Sequence, residues 1–168
     1  TREIARRFNS LYKKSLFPNP EALLTKTPRL LGLDGRKMSK SYNNTIDLSE
    51  PPDSIKRKIA NMFTDPQRIK LTDKGHPDVC NVFSYYSAFI PGMKDEVCDW
   101  CRNALIGCTE CKKNLALNLI EILTPFHKRR QELALDKARI RKILEEGKIK
   151  AIAVASQTIK EVKQAMNL

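Results

Sequence analysis

The sequence predicts a mainly α-helical protein, and three observations support that fold class. Apolar residues recur at helical spacing in successive segments, and from residue 77 onward the pattern stays helical. The chain contains neither an internal repeat nor a low-complexity tract. Its 168 residues, 41% of them hydrophobic, suffice to bury a core. No apolar run approaches the roughly 18 residues of a membrane span, so we expect a cytoplasmic protein.

The first predicted helix covers residues 2–14 and is amphipathic. Its apolar positions are Ile4, Phe8 and Leu11. Residues 17–28 contain three prolines, which predicts an extended connector with one short strand before the loop that follows.

A proline pair, Pro51–Pro52, marks a predicted boundary between residues 1–50 and residues 51–168. Asp53 or Ser54 is expected to cap the helix that begins there. The apolar stripe of this helix consists of Ile55, Ile59 and Met62.

Further helices are predicted in the second half of the chain. Their apolar stripes are Val79, Val82, Phe83, Tyr86 and Ile90; Leu115, Leu119, Ile122 and Phe126; Ile140, Ile143 and Leu144; and Ile152, Ala155, Ile159, Val162 and Met166. Pro91–Gly92 should end the first of these, and Pro125 should kink or split the second. Asp136 should cap the third, which we expect to be short and to end at Gly147.

Four aromatic residues near the start of this region suit two roles. They are Phe83, Tyr85, Tyr86 and Phe89. Such side chains can serve as platforms on which bases stack, but their helical spacing favours packing in the core.

The most informative feature is the run Lys-Met-Ser-Lys-Ser at residues 37–41. Flanking glycines and asparagines (Gly32, Gly35, Asn43 and Asn44) predict a mobile loop at this point. Two ammonium groups three residues apart can reach a polyphosphate and neutralise the charge that builds up as it leaves. A solvated basic loop is the alternative for any lysine pair. Chance would produce these five residues on the order of once in 10⁴ such sequences, which favours phosphate chemistry.

This run resembles the second signature of the class I aminoacyl-tRNA synthetases, the loop that binds ATP phosphates during amino-acid activation. Other segments resemble the bacterial-type tryptophanyl-tRNA synthetases within that class: Ile4–Asn9, Leu24–Leu30, Phe63–Asp65 and Val162–Met166. The tyrosine-specific sister family is the alternative. The first signature of the class, His-Ile-Gly-His, has no counterpart, because His76 and His127 lie in other contexts. The chain is therefore expected to be the C-terminal half of such an enzyme, and inactive alone.

The resemblance implies a fold and a mechanism. Residues 1–50 would be the remnant of a Rossmann-type catalytic domain, and residues 51–168 a helical bundle that binds the tRNA anticodon. Lys37 and Lys40 would be the catalytic residues. The ATP site would consist of Lys37, Met38, Ser39, Lys40 and Ser41. Mg²⁺ would enter with ATP, the partners would be tryptophan and tRNA(Trp), and the full-length protein would be a homodimer.

The net charge supplies an independent indication of a polyanionic partner. The chain carries 31 Lys and Arg against 19 Asp and Glu, a formal charge of +12. Basic residues are dense between residues 128 and 150, and the RNA-binding candidates there are Arg129, Arg130, Arg139 and Lys142. General solubility is the alternative reading of the charge. A stand-alone RNA-binding module would also account for it, but would leave the run at residues 37–41 unexplained.

Five cysteines lie within 32 residues: Cys80, Cys98, Cys101, Cys108 and Cys111. Thiols gathered in this way more often bind a metal than form disulfides in a cytosolic protein. The Cys108-x2-Cys111 spacing lets two thiolates share one ion, and ligand softness suits zinc and an iron-sulfur cluster equally. Buried free thiols and a small iron-sulfur electron carrier are the alternatives.

The resemblance adds a ligand set. Some bacterial tryptophanyl-tRNA synthetases hold a 4Fe-4S cluster with a pattern that ends Cys-x6-Cys-x2-Cys. Cys101, Cys108 and Cys111 match that ending, and Cys80 would be the distant first ligand. Cys98 is the competing ligand. A structural role for the cluster is expected rather than electron transfer.

Overall fold

The computed structural model describes residues 1–25, 27 and 29–168, and in these ranges the protein is mainly α-helical, as predicted. The α-helices are α1 (Arg2–Tyr12), α2 (Pro52–Ala60), α3 (Asn81–Phe89), α4 (Lys94–Arg102), α5 (Cys108–Leu135) and α6 (Lys137–Ala165). The strand predicted before the loop is absent from the described residues, and an isolated antiparallel bridge joins Leu31 to Lys37. Lys26 and Pro28, within the segment 24–30 compared above, lie outside the described residues. No helix in the described ranges is both long and apolar enough to cross a membrane.

The chain divides into two compact units. One consists of Thr1–Leu23 together with Glu132–Leu168, and the other of Leu24–Gln131. The predicted boundary at Pro51–Pro52 lies inside the second unit. The division into a catalytic remnant and an RNA-binding domain stays a prediction.

The first unit contains α1, and a single asparagine organises the chain that leaves this helix. The Asn9 side chain accepts hydrogen bonds from the backbone N–H groups of Leu16 (3.2 Å) and Phe17 (3.1 Å), and donates one to the Phe17 carbonyl (2.7 Å). The Phe17 ring consequently packs edge-on against Phe8, with ring centroids 5.1 Å apart. The predicted helix is confirmed, and it ends at Tyr12 because Lys13 adopts the left-handed conformation.

The core of the second unit is built by α2, α3, α4 and α5. Its buried members are Ile55, Ile59, Met62, Val82, Tyr85, Tyr86, Val97, Leu115, Ala116, Leu119 and Leu123. The aromatic pair on α3 therefore packs in the core, as the helical spacing favoured. Both hydroxyl groups are satisfied, because Tyr85 donates to the Leu31 carbonyl (2.9 Å) and Tyr86 to the Cys111 carbonyl (3.1 Å).

The start of α2 differs from the prediction. The N-cap is Pro51, not Asp53 or Ser54, and the first helical residue is Pro52. Proline suits the first turn because its missing N–H would have no intrahelical partner there. Asp53 lies in the first turn, where a negative charge is favourable near the helix N-terminus.

Neither of two predicted interruptions divides the later helices. Pro125 lies inside α5, which continues unsplit from Cys108 to Leu135. Gly147 lies inside α6 and does not end it, so the two last predicted helices are one. The cap at Asp136 is confirmed, since its carboxylate accepts a hydrogen bond from the Arg139 backbone N–H at 2.9 Å. The inward face of α5 also turns out to contain Leu123 rather than Ile122 or Phe126, which are exposed.

We expect Leu115→Ala to destabilise the protein by about 2–5 kcal/mol, because Leu115 is fully buried and its truncation leaves a cavity. The free energy of unfolding from denaturant titration measures the effect. Leu117→Ala is the matched control on the same helix, since Leu117 is half-exposed and its loss should cost under about 1 kcal/mol. Equal losses in the two variants would contradict the assignment of the core.

Candidate nucleotide loop and cysteine cavity

The run at residues 37–41 leaves a tight turn and enters a short 3-10 helix, Lys40–Tyr42. In the turn, Gly32 N–H donates to the Arg36 carbonyl (2.7 Å) and Gly35 N–H to the Gly32 carbonyl (3.0 Å). Gly35 has φ +78°, a conformation that favours glycine. Backbone hydrogen bonds and a left-handed glycine therefore define the turn that precedes the run.

Lys37 and Lys40 both lie at the surface of the second unit. Among the described residues, neither takes part in an ion pair. Two ammonium groups on one loop therefore face solvent without a protein carboxylate to neutralise them. This arrangement leaves both charges available to an anionic ligand.

The other three residues of the run are less exposed or locally bonded. The Ser39 hydroxyl accepts a hydrogen bond from the Ser41 backbone N–H (3.3 Å), which caps the 3-10 helix. Met38 packs its side chain against the hydrophobic core, so its backbone rather than its side chain is left for a ligand. The assignment of Met38, Ser39 and Ser41 to an ATP site stays a prediction.

One buried side chain, Asn44, holds the loop together. Its amide donates to Asp34 Oδ1 (2.8 Å) and to the Lys37 carbonyl (3.1 Å), and accepts from the Ser39 backbone N–H (2.8 Å). The hydrogen bond from Asn44 and the contacts with Arg36 lower the pKa of Asp34 to about 2. Asp34 is therefore ionised at neutral pH, and it bonds both the backbone and the guanidinium of Arg36.

The base of the loop is attached to α3. Asn81, which is buried, donates through its side-chain amide to the Gly32 carbonyl at 2.7 Å. Tyr85, one turn further along α3, donates to the Leu31 carbonyl. These two bonds connect residues about fifty positions apart and fix where the loop begins.

From the sequence, Asn43 and Asn44 were predicted only as turn residues, and neither Asp34 nor Asn81 was identified. The one available signal was the spacing of Asp34 and Arg36, since an aspartate commonly bonds the backbone two residues later in a turn. The role of Asn81 depends on a contact that sequence spacing does not reveal.

A second feature of this unit is a small cavity of about 20 Å³ lined by four cysteines. Among the described residues, its lining is Thr64, Arg68, Cys80, Val82, Trp100, Cys101, Ile106, Cys108 and Cys111. Cys98 is half-buried on α4 and is not part of this lining. The structure thus places the four cysteines predicted as ligands around one cavity, and their role as metal ligands stays a prediction.

Three of the thiols in this cavity, those of Cys80, Cys101 and Cys111, are held in their neutral form. Burial raises the pKa of Cys80 and Cys101, and it raises the pKa of Cys111 to about 12. The Arg68 guanidinium opposes this effect at Cys101 and Cys111. Any metal that bound here would have to displace protons from these thiols.

Arg68 also joins the two segments that enclose the cavity. Its guanidinium donates to the carbonyls of Leu71 (3.2 Å) and Ile106 (2.8 Å). Nearby, the buried carboxylate of Asp65 accepts from the backbone N–H of His76 (2.8 Å) and contacts its ring Nδ1 (2.9 Å). Hydrogen bonds from the side chains of Arg68 and Asp65 therefore hold the backbone around the cysteines.

Among the described residues, the cysteines around the cavity are not arranged as a metal site. In the described part of the chain, no three His, Cys, Asp or Glu side chains lie close enough to share one ion. A tetrahedral zinc site needs all sulfurs at about 2.3 Å from the metal. An iron-sulfur cluster spaces its cysteines further apart, because each binds a different iron. The cavity has room for about one water molecule, so a cluster would require the thiols to turn outward.

The basic candidates lie on the two long helices. Arg129 and Arg130 are on α5, Arg139 and Lys142 are on α6, and all four are exposed. Lys142 Nζ lies 3.9 Å from Glu146 Oε1, a surface contact that contributes little. Their role in RNA binding stays a prediction.

Comparisons with known proteins identify the family. The family model of class I tRNA synthetases (W and Y) matches residues 1–124. The tryptophan–tRNA ligase of Aquifex aeolicus is 46% identical over 173 residues, covering 100% of this chain and 43% of the relative. That of Thermotoga maritima is 43% identical over 170 residues, covering 100% of this chain and 52% of the relative. The chain therefore spans about half the length of the curated relatives it matches.

A solved structure gives the same result at the level of the fold. The tryptophanyl-tRNA synthetase of Campylobacter jejuni, crystallised with ADP and tryptophan, superposes with a TM-score of 0.75 at 26% identity. The match covers 99% of this chain and 52% of that protein. Since the family model spans most of the sequence and relatives above 40% identity cover all of it, this chain belongs to the class I tRNA synthetases of the tryptophan and tyrosine branch.

Proposed function

We propose that this chain is the C-terminal part of a tryptophan–tRNA ligase, an enzyme that activates tryptophan with ATP and transfers it to tRNA(Trp). The observation that carries the proposal is the exposed pair Lys37 and Lys40 on a loop with a hydrogen-bonded base. The relatives at 46% and 43% identity are named tryptophan–tRNA ligase, which favours tryptophan over tyrosine. A Rossmann-type remnant at 1–50, an anticodon-binding bundle at 51–168, a cytoplasmic location and a homodimeric full-length protein belong to the same proposal.

The lysines would act in the activation step. A carboxylate oxygen of tryptophan attacks the α-phosphorus of ATP and forms a bond to it. The bond from this phosphorus to the oxygen that bridges the α- and β-phosphates breaks, so that pyrophosphate leaves. Negative charge on pyrophosphate increases in the transition state, and cations that bind it more tightly at that point lower the barrier. Lys37 and Lys40 supply these cations. No general base is required, because the attacking carboxylate is already ionised.

The hydroxyls of Ser39 and Ser41 would donate hydrogen bonds to the same phosphates, and the Met38 backbone would contact the adenine. Mg²⁺ would enter with ATP and neutralise part of its charge. In the second step the aminoacyl group passes from the adenylate to the terminal ribose of the tRNA. This chain would contribute basic side chains that bind the RNA backbone during that transfer.

We further propose that Cys80, Cys101, Cys108 and Cys111 hold a 4Fe-4S cluster. Their common position around one cavity and the softness of four thiols support it. The cluster would join the residue before α3 and the first turn of α5 to the end of α4, and its role would be structural. Zinc is the alternative metal. Cys98 is the alternative ligand, whichever metal is bound.

We expect Lys40→Ala in the full-length protein to slow tryptophan-dependent ATP–pyrophosphate exchange at least tens-fold, because one transition-state cation is lost. The apparent affinity for tryptophan should change much less. Lys74→Ala is the matched control, since Lys74 is an exposed lysine outside the loop. An exchange rate equal to that of the unmodified protein would reject the role of Lys40.

The double variant Arg139→Ala, Lys142→Ala should weaken tRNA binding about tenfold, since two phosphate contacts on one face of α6 would be lost. The slope of log affinity against log salt concentration should fall by about 1 to 2. Filter binding at several salt concentrations measures both quantities. Lys94→Ala, on an exposed lysine of α4, should leave them unchanged, and an unchanged slope in the double variant would contradict the assignment.

Protein prepared without oxygen should be brown, absorb near 400 nm and contain about four irons per chain. Cys108→Ser should abolish the absorption, because it removes one of four ligands, and Cys98→Ser should retain it. Zinc in place of iron would reject the cluster in favour of the tetrathiolate alternative. A retained cluster in Cys108→Ser, together with its loss in Cys98→Ser, would show that the ligand set is wrong.

A further inference from the structure

We propose that Asn44 is a positioning residue of the nucleotide loop: its side-chain amide holds the loop in the shape that presents Lys37 and Lys40 to the phosphates of ATP. This inference rests on the proposed function and adds a residue that lies outside the signature run. Asn44 itself touches no phosphate in this role. It acts through the two lysines.

The hydrogen bonds of Asn44 tie together the segment between the two lysines. The side chain is 3% exposed. One N–H bonds the carbonyl of Lys37, the first cationic residue, and the amide oxygen accepts from the backbone of Ser39, directly before the second. A single rigid amide therefore fixes the backbone on both sides of Met38.

The second N–H of Asn44 bonds Asp34 Oδ1, on the opposite arm of the turn. The backbone of Asn44 also bonds this arm, because its carbonyl accepts a hydrogen bond from the Leu33 N–H at 2.9 Å. All of the main hydrogen-bonding groups of this residue's amide are thus used. Aspartate has the same shape but no donor, so it could keep the bond from Ser39 and would lose the other two.

Gly32 provides the space that Asn44 occupies. A Cβ atom at position 32 would overlap the Asn44 amide group. The backbone of Gly32 does not lie in the left-handed region, so an alanine could adopt its conformation. Close approach, rather than backbone freedom, is therefore the reason for glycine here. Gly32→Ala would displace the Asn44 side chain while leaving its chemistry intact.

Positioning should appear in the rate rather than in substrate affinity. A loop that is already ordered loses little conformational entropy when both lysines engage the leaving pyrophosphate. Without the amide bridge, the loop must become ordered during the reaction itself. We therefore expect a lower kcat with a small change in KM for tryptophan.

The experiment uses the full-length protein and measures tryptophan-dependent ATP–pyrophosphate exchange. Asn44→Asp and Gly32→Ala should each lower kcat 10- to 100-fold, with the KM for tryptophan within about threefold of the unmodified value. Asn118→Ala and Gly92→Ala are matched controls. Asn118 donates within its own helix, and a Cβ at Gly92 meets nothing within 4 Å. Both controls should keep full activity.

A double-mutant cycle distinguishes positioning from general damage. If Asn44 acts through the lysines, Asn44→Asp should cost much less in a Lys40→Ala background than in the unmodified protein. Losses that multiply independently would overturn the proposal. Folding is checked by circular dichroism and thermal unfolding, and Gly32→Ala decides the question if Asn44→Asp does not fold.

Failure of this inference and failure of the proposed function give different results. No tryptophan-dependent exchange by the unmodified protein would reject the function. Normal exchange by the unmodified protein, with unchanged rates in Asn44→Asp and Gly32→Ala, would reject the positioning role alone.

Discussion

The attachment of the loop base to helix α3 is the contact on which the candidate nucleotide site depends. Asn81 and Tyr85 lie one turn apart on α3 and donate to the carbonyls of Gly32 and Leu31. Backbone carbonyls that are partly withdrawn from water need a partner, and both find one on the same helix. Since α3 is anchored in the core by Val82 and Tyr86, the loop starts from a rigid support while its cationic tip stays in solvent.

The same short helix also supports the cysteine cavity. Cys80 immediately precedes α3 and lines the cavity, while Asn81, the first residue of the helix, bonds the loop. The hydroxyl of Tyr86 bonds the carbonyl of Cys111 on α5. Two chemically different features therefore share one support, since both contact the same nine-residue helix.

The errors in the sequence prediction have physical causes. Proline in a helix costs about 3 kcal/mol, but Pro125 is exposed, and the buried face of Leu115, Leu119 and Leu123 holds the preceding turns in place. Glycine costs only about 1 kcal/mol in a helix interior, which the good helix formers around Gly147 offset. A local breaker signal thus predicts an end only where little else stabilises the helix.

The sequence by itself determined the features that depend on residue type and close spacing. These are the helical class, the cationic run at residues 37–41, the basic character and the cysteine pattern. Each of them depends on which residues occur at nearby positions in the sequence. Only the tertiary structure decided that Cys80 lines one cavity with Cys101, Cys108 and Cys111, while Cys98 does not. It also decided that Asn44 and Asn81 organise the loop. Cys80 and Asn81 act through contacts with residues 20 to 50 positions away. The residues that Asn44 bonds are close to it in the sequence, but these bonds form only because Gly32 leaves room for its amide. Spacing carries no information about such packing.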